Sequence, residues 1–211
     1  MSRLRLFARR SRDGQRGQGM VEFAVIVPVF LLLLMGMLEF GFVFTHNLSL
    51  EYATREGARA GATLSDGKGD ATTCASIDRA IINAVTKVLK SPGSPILGYP
   101  NDVTTIDIWS ADSSGNPIVN TTNTWTNKND GSLTFNPPTT PVWKPCTRHS
   151  TVWASTSCGG NTCPPDSIGV SLSYKYTMVT PLGAIEKFFG PAGPATLPMS
   201  DKTVMSLNPT N

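Results

Sequence analysis

The residues best suited to chemistry lie at the start of a long apolar run. Glu22 directly precedes Phe23, and no charged residue occurs from Phe23 to Leu38. Gly17 lies five residues before Glu22, behind a cluster of arginines. A carboxylate at a position where membrane insertion is costly indicates a function. The pattern therefore predicts that this stretch does more than anchor the chain.

The cysteines predict disulfide bonds rather than a metal site. All four follow the apolar run: Cys74, Cys146, Cys158 and Cys163. An even number in an oxidising compartment favours disulfides, with three possible connectivities. Cys158 and Cys163 can close a short loop, which would leave the other two to tie a helix to an insertion. Zinc is the alternative, but C-x-x-C pairs are missing, and His46 and His149 are far apart in sequence. We expect neither a metal nor a cofactor.

The sequence contains no recognisable signature of catalysis. A GxSxG motif, an HExxH motif and a phosphate-binding glycine loop are all missing. The stretch from Asp112 to Gly115 falls short of a DxSxS metal-adhesion signature. We therefore expect a protein that is not an enzyme.

The apolar run predicts a membrane-spanning helix. It extends to Phe44, and about 20 apolar residues suffice to cross roughly 30 Å of hydrocarbon. A secretory signal peptide is the alternative, but the run is longer than a usual h-region and no small-x-small cleavage site directly follows it. Glu39, near the outer interface, could reach lipid headgroups or pair with a neighbouring subunit.

The charge distribution gives the orientation. The formal net charge is only +3, yet arginines are concentrated before the apolar run: Arg3, Arg5, Arg9, Arg10, Arg12 and Arg16. By the positive-inside rule, the N-terminus is cytoplasmic and the chain beyond about residue 46 lies across the membrane. Because an apolar segment follows the arginines, they do not predict nucleic-acid binding.

The order of Gly17, four further residues, Glu22 and Phe23 resembles the processing site of type IV prepilins. The longer pattern, RGQGMVEFAVIVPVFLLLLMGMLEFG followed by LEYATREGARAGA, is similar to the TadE-like family of the tight-adherence pilus system. The resemblance covers roughly residues 16 to 62. It joins these motifs in one order: Arg16-Gly17-Gln18, Val21-Glu22-Phe23, Pro28, Glu39-Phe40-Gly41 and Arg55-Glu56-Gly57-Ala58-Arg59. Gly19 departs from the pattern, since an apolar residue is more usual there.

The resemblance implies that a prepilin peptidase cleaves between Gly17 and Gln18. Cleavage would remove the arginines and create a new amine at Gln18, which is a natural partner for Glu22. In pilins the glutamate of one subunit meets the amine of the next, so Glu22, Phe23 and Glu39 become candidates for subunit register and assembly.

The function that the resemblance implies is that of a minor pilin or pseudopilin in assembly of a tight-adherence (Flp-type) pilus. Its partners would be the membrane, other pilins, the assembly machinery and the prepilin peptidase. It would reside in the bacterial inner membrane, with a cytoplasmic N-terminus and an extracytoplasmic head. The alternative is an unprocessed single-pass anchor whose extracytoplasmic domain binds a surface or envelope ligand.

Beyond the membrane the helix is expected to continue from Asn47 to Leu64. Ala53, Gly57 and Gly61 recur every four residues, so one side of this segment allows close approach of another backbone. That side either stacks against other subunits or packs on the chain's own domain.

The remaining patterns predict an α+β head. A second helix is expected from Thr73 to Lys90, with an apolar stripe that includes Ile81 and Val85 and with Asp78 outside. Strands are expected at three places, near residues 103–109, over 168–178 and near 202–207.

A polar tract from Asn120 to Ser167 separates these strands and predicts an elaborated loop or a small irregular subdomain. It carries Trp125, Trp143 and Trp153. We expect these to be buried, whereas exposed tryptophans would indicate partner contact.

Three parts are therefore predicted. Residues 1–17 form a basic cytoplasmic leader, and residues 18–64 form a transmembrane and stem helix. Residues 65–211 form an extracytoplasmic α+β head with a small antiparallel sheet and a loop-rich insertion at about 110–167.

Overall fold

A 52-residue helix, α1 (Asp13–Leu64), connects the apolar segment to the head. The structure is a computed structural model that describes residues 13–64, 71–112, 114–118, 121–139, 167–181 and 196–206. The helix runs through Pro28 without interruption. It is long and apolar enough to cross a membrane, and none of the residues from 17 to 38 is buried in the protein.

The head adds a second helix and a five-stranded sheet. Helix α2 (Ala71–Leu89) is followed by two short 3₁₀ turns, Pro95–Gly98 and Pro100–Asp102. The strands are β1 (Val103–Ala111), β2 (Asn123–Asn127), β3 (Phe135–Asn136), β4 (Ser167–Thr177) and β5 (Thr196–Ser206). They lie in the order β3-β2-β1-β4-β5, and every neighbouring pair is antiparallel. The predicted α+β fold with a small antiparallel sheet is confirmed.

One face of the sheet packs against α2 and against the C-terminal half of α1, which we call its upper half. Alternation along β4 places Val170, Leu172 and Tyr174 in this core, as the sequence pattern predicts. Ile81 and Val85 of α2 are fully buried against the same face, because apolar residues three and four positions apart share one side of a helix.

The structure differs from the sequence expectations at three places. Asp78 is buried rather than outside, and Asn123 Nδ2 donates a hydrogen bond to its Oδ2 at 3.1 Å. Strands β2 and β3 fall inside the tract that was expected to be irregular, whereas the burial of Trp125 on β2 agrees with the expectation. Strand β5 begins at Thr196, whereas the sequence predicts a strand only near residues 202–207. Trp143 and Trp153 lie outside the described residues.

The small-residue side of the stem packs on the chain's own head. Ala53, Gly57 and Gly61 are all buried. A Cβ at Gly57 would lie 2.6 Å from Val85 Cγ2, and one at Gly61 would lie 2.6 Å from Ile168 Cδ1. This side of the stem therefore packs on the chain's own domain, which is the second alternative given above. The elements that approach it closely are α2 and β4.

We expect Gly57→Ala to destabilise the head. Overpacking costs about 1–3 kcal/mol, and replacing a helical glycine by alanine stabilises the helix by about 1 kcal/mol, so we expect the free energy of unfolding to fall by up to about 2 kcal/mol. Val85 cannot swing away easily, because its χ1 is stiff. The thermal midpoint of the full chain in detergent, followed by tryptophan fluorescence, measures the effect.

Gly41→Ala is the matched control in the same helix, since a Cβ there meets nothing within 4 Å. It should leave the midpoint unchanged or raise it. Equal midpoints for the two variants would contradict the packing described for Gly57.

Candidate functional site

Gly17 and Gln18 lie near the exposed N-terminal end of α1, and Glu22 lies one helical turn after Gln18. Gln18 Nε2 donates a hydrogen bond to Glu22 Oε1 at 3.1 Å. No other hydrogen bond or ion pair of Glu22 occurs within the described part of the chain. The carboxylate is therefore one helical turn from the peptide bond between Gly17 and Gln18, and most of its capacity to accept hydrogen bonds is free.

The helix between the two glutamates is largely exposed, and none of its residues from 23 to 38 is buried. Phe23 is 69% exposed, and Ile26, Leu33 and Met37 are exposed to similar degrees. A helix that is apolar on all sides requires lipid or other apolar helices around it. This segment therefore supplies the surface through which the chain meets a membrane or a neighbouring subunit.

Glu39, at the other end of the apolar segment, is buried by the head. Its Oε1 accepts hydrogen bonds from Tyr176 Oη at 2.5 Å and from the Val179 backbone N–H at 3.1 Å, and its Oε2 accepts one from the Thr180 backbone N–H at 2.8 Å. Both oxygens of the carboxylate are thus bonded within the chain. We call this set of contacts the Glu39 clamp. It attaches the end of β4 to α1.

An aromatic cluster packs directly above the clamp. The ring of His46 lies 5.0 Å from that of Tyr176, 5.6 Å from that of Tyr174 and 6.3 Å from that of Tyr99, measured between centroids. His46 Nδ1 lies 2.8 Å from the Phe42 carbonyl oxygen, so this nitrogen carries the proton and donates it. The cluster shields the Glu39 carboxylate from water on the side of the head.

Two tyrosines of this cluster, Tyr174 and Tyr176, stay protonated across the neutral range. Burial raises the pKa of Tyr174, and burial together with the hydrogen bond to Glu39 raises the pKa of Tyr176. Tyr176 therefore carries the proton that it donates to the Glu39 carboxylate at neutral pH.

The other candidates from the sequence are distributed away from this region. Cys146, Cys158 and Cys163 lie outside the described residues, and Cys74 is in α2 at a position whose side chain is not described, so the disulfides remain a prediction. In the part of the chain that the structure describes, no three His, Cys, Asp or Glu side chains group closely enough to hold a metal ion. On the exposed side of the stem, Glu51 pairs with Arg55, and Glu56 with Arg59, within the helix.

Residues 17–59 match the family described as TadE-like protein. This segment is TadE-like. The match runs from the proposed cleavage site through the Glu39 clamp residue to the packed stem, and it leaves the strands of the head outside. The comparisons with curated proteins and with solved structures found no match. The TadE-like match and the one apolar helix found among the described residues fit a membrane-anchored protein.

Sequence patterns identified the TadE-like glutamates but not the partners of Glu39. Tyr176 was placed on the buried side of β4 by its alternation, and nothing in that alternation connects it to a helix residue 137 positions earlier. Val179 and Thr180 act through backbone N–H groups, which every residue type except proline carries. A charged residue at the outer end of an apolar run was the only available signal.

We expect Glu39→Gln to release the end of β4 from α1. The amide has one acceptor oxygen in place of two, and hydrogen bonds to charged groups contribute about 1.5–3 kcal/mol each. Hydrogen–deuterium exchange of the full chain in detergent should report lost protection at Val179 and Thr180.

Glu51→Gln serves as the control, because Glu51 pairs with Arg55 on the exposed side of the same helix and such pairs contribute about 0–1 kcal/mol. Its exchange pattern should match that of the unchanged chain. Retained protection at Val179 and Thr180 in Glu39→Gln would show that the clamp does not hold the head on the helix.

Proposed function

We propose that this chain is a TadE-type minor pilin or pseudopilin that takes part in assembly of a tight-adherence pilus after cleavage between Gly17 and Gln18 by a prepilin peptidase. The observation that carries the proposal is the contrast between the two glutamates of the TadE-like segment. Glu39 is bonded within its own head, whereas among the described residues Glu22 is bonded only to the Gln18 side chain one turn away.

The proposed cleavage changes the electrostatics around Glu22. Hydrolysis of the bond between Gly17 and Gln18 removes the six arginines of the leader and leaves a positive α-amine on Gln18. This amine belongs to the residue whose side chain already reaches the Glu22 carboxylate. A carboxylate at the edge of the hydrocarbon is costly unless it is paired, so an amine from an adjacent subunit stabilises it and fixes the axial register of the two helices.

The surfaces left free by the fold support association through the lower part of α1. The row of Ala53, Gly57 and Gly61 is buried in the chain's own core and is not accessible to a neighbour. The segment from Phe23 to Leu38 is exposed and apolar. Subunit contacts in this proposal therefore use the membrane segment, with Glu22 at its inner end.

The mature N-terminus tests the processing step. We expect N-terminal sequencing of the membrane-bound protein from cells that make the pilus to begin at Gln18, and to begin at Met1 when the prepilin peptidase gene is deleted. Gly17→Ala, with the rest of the chain unchanged, should also block the shift. Met1 retained in piliated cells would contradict processing and would favour the unprocessed, membrane-anchored binding domain.

The pairing role of Glu22 has a separate test. We expect Glu22→Ala to insert into the membrane normally but to reduce piliation strongly, since the amine of the next subunit then has no carboxylate to meet. Counting of pili by electron microscopy, with membrane fractionation alongside, separates the two effects. Glu51→Ala is the matched control, because it removes a glutamate from the same helix outside the membrane segment. Normal piliation in Glu22→Ala would rule out the register contact.

A further inference from the structure

Exposed apolar side chains surround the point where α1 enters the head. Phe40 is 72% exposed and Phe44 is 55% exposed on the helix, Val179 is 50% exposed just after β4, and Leu197 is 42% exposed near the start of β5. Phe40, Phe44 and Leu197 line one open groove between α1 and β5. We call these four residues the head base.

The head base continues the exposed apolar surface of the membrane segment. Exposed apolar residues extend up the helix from Phe23 through Leu33 and Met37 to Phe40 and Phe44. Glu39 does not interrupt this surface with an exposed charge, because its side chain is turned into the head and bonded there. The lipid or protein that surrounds the membrane segment therefore also contacts the head base.

The length of the uncharged segment fixes where the head base lies. The 16 residues from Phe23 to Leu38 rise about 24 Å as a helix, which is about 6 Å less than the hydrocarbon thickness of roughly 30 Å. One of the two glutamates must therefore approach or enter the hydrocarbon, unless the bilayer thins locally.

The free energy of moving the side chain into hydrocarbon differs between the two glutamates. Glu22 is exposed, and moving such a carboxylate into hydrocarbon without a charged partner is costly. Glu39 is already removed from water, and three donors of the head satisfy its carboxylate. The lower free energy therefore places Glu22 in the inner headgroups and Glu39 at the outer edge of the hydrocarbon.

We propose that the head rests in the membrane surface, with Phe40, Phe44, Val179 and Leu197 immersed in the outer interfacial layer of the bilayer. The Glu39 clamp determines this depth, because Val179 and Thr180 are bonded directly to the helix at that level. The partner of the head base is thus lipid. The proposal requires the membrane span but not cleavage after Gly17, so its failure would leave the proposed function standing.

Photo-crosslinking tests the proposal in the full chain. Benzoyl-phenylalanine is placed at Phe44 or Leu197, and the protein is reconstituted into vesicles of phosphatidylethanolamine and phosphatidylglycerol and irradiated. Intact-mass spectrometry then identifies adducts. We expect lipid adducts at both positions. The label at Leu33, inside the membrane segment, is the positive control, and the label at Tyr52, exposed two turns above Phe44, should give no lipid adduct.

Three outcomes are distinguishable. Lipid adducts at Phe44 and Leu197 support the proposal. Adducts to a second copy of the chain would overturn it in favour of a subunit interface, and the absence of adducts at both positions, with Leu33 still labelling lipid, would place the head in water. Protection of the Thr180 amide from hydrogen exchange confirms that each labelled protein is folded.

Bilayer thickness provides a second measurement. In oleoyl-chain vesicles the lipid adduct at Leu197 should exceed that in thinner myristoyl-chain vesicles, because the mismatch of the 16-residue segment is larger in the thicker bilayer. The adduct at Leu33 should not change. Equal adducts at Leu197 in both vesicles would contradict a depth set by the Glu39 clamp.

Discussion

The attachment of the head to α1 depends on a carboxylate whose hydrogen-bond donors lie far away in the sequence. Glu39 lies at the end of an apolar run, where an unpaired charge is costly, and its three donors all come from the end of β4 and the residues just after it. Because the bonds join the helix to the end of β4, they constrain both the rotation of the head around α1 and its height above the apolar segment. Burial of Leu50, Ala53 and Ala58 then continues the same attachment upward.

The fold thereby divides α1 into two halves with different surroundings. The upper half contributes small residues to a core in which a single methyl group at Gly57 would collide with Val85. The lower half contributes mainly exposed apolar side chains and Glu22, one oxygen of which has no hydrogen-bond partner among the described residues. The residues of the upper half that form the core are therefore not available for contacts with another chain.

Much of this arrangement follows from the sequence, and the exceptions have physical causes. Apolar periodicity assigned both helices and the buried side of β4, because burial on one side imposes a period on residue type. It misplaced Asp78, since a carboxylate was assumed to face water, whereas Asn123 supplies it with a buried donor. Strand β2 was missed because NTWTN contains two asparagines and its extended form is selected by pairing with β1. The donors to Glu39 were missed because periodicity describes one segment at a time.

The separation of 137 positions between Glu39 and Tyr176 also imposes an order on biosynthesis. The apolar helix reaches the membrane first, and at about 5–20 residues per second the ribosome needs on the order of ten seconds more to make the end of β4. During that interval the Glu39 carboxylate has none of its native partners. Strand β5 follows later still and pairs only with β4, so the sheet edge beside the stem forms last. A chain interrupted before β4 therefore keeps a Glu39 carboxylate without the donors that satisfy it in the finished fold.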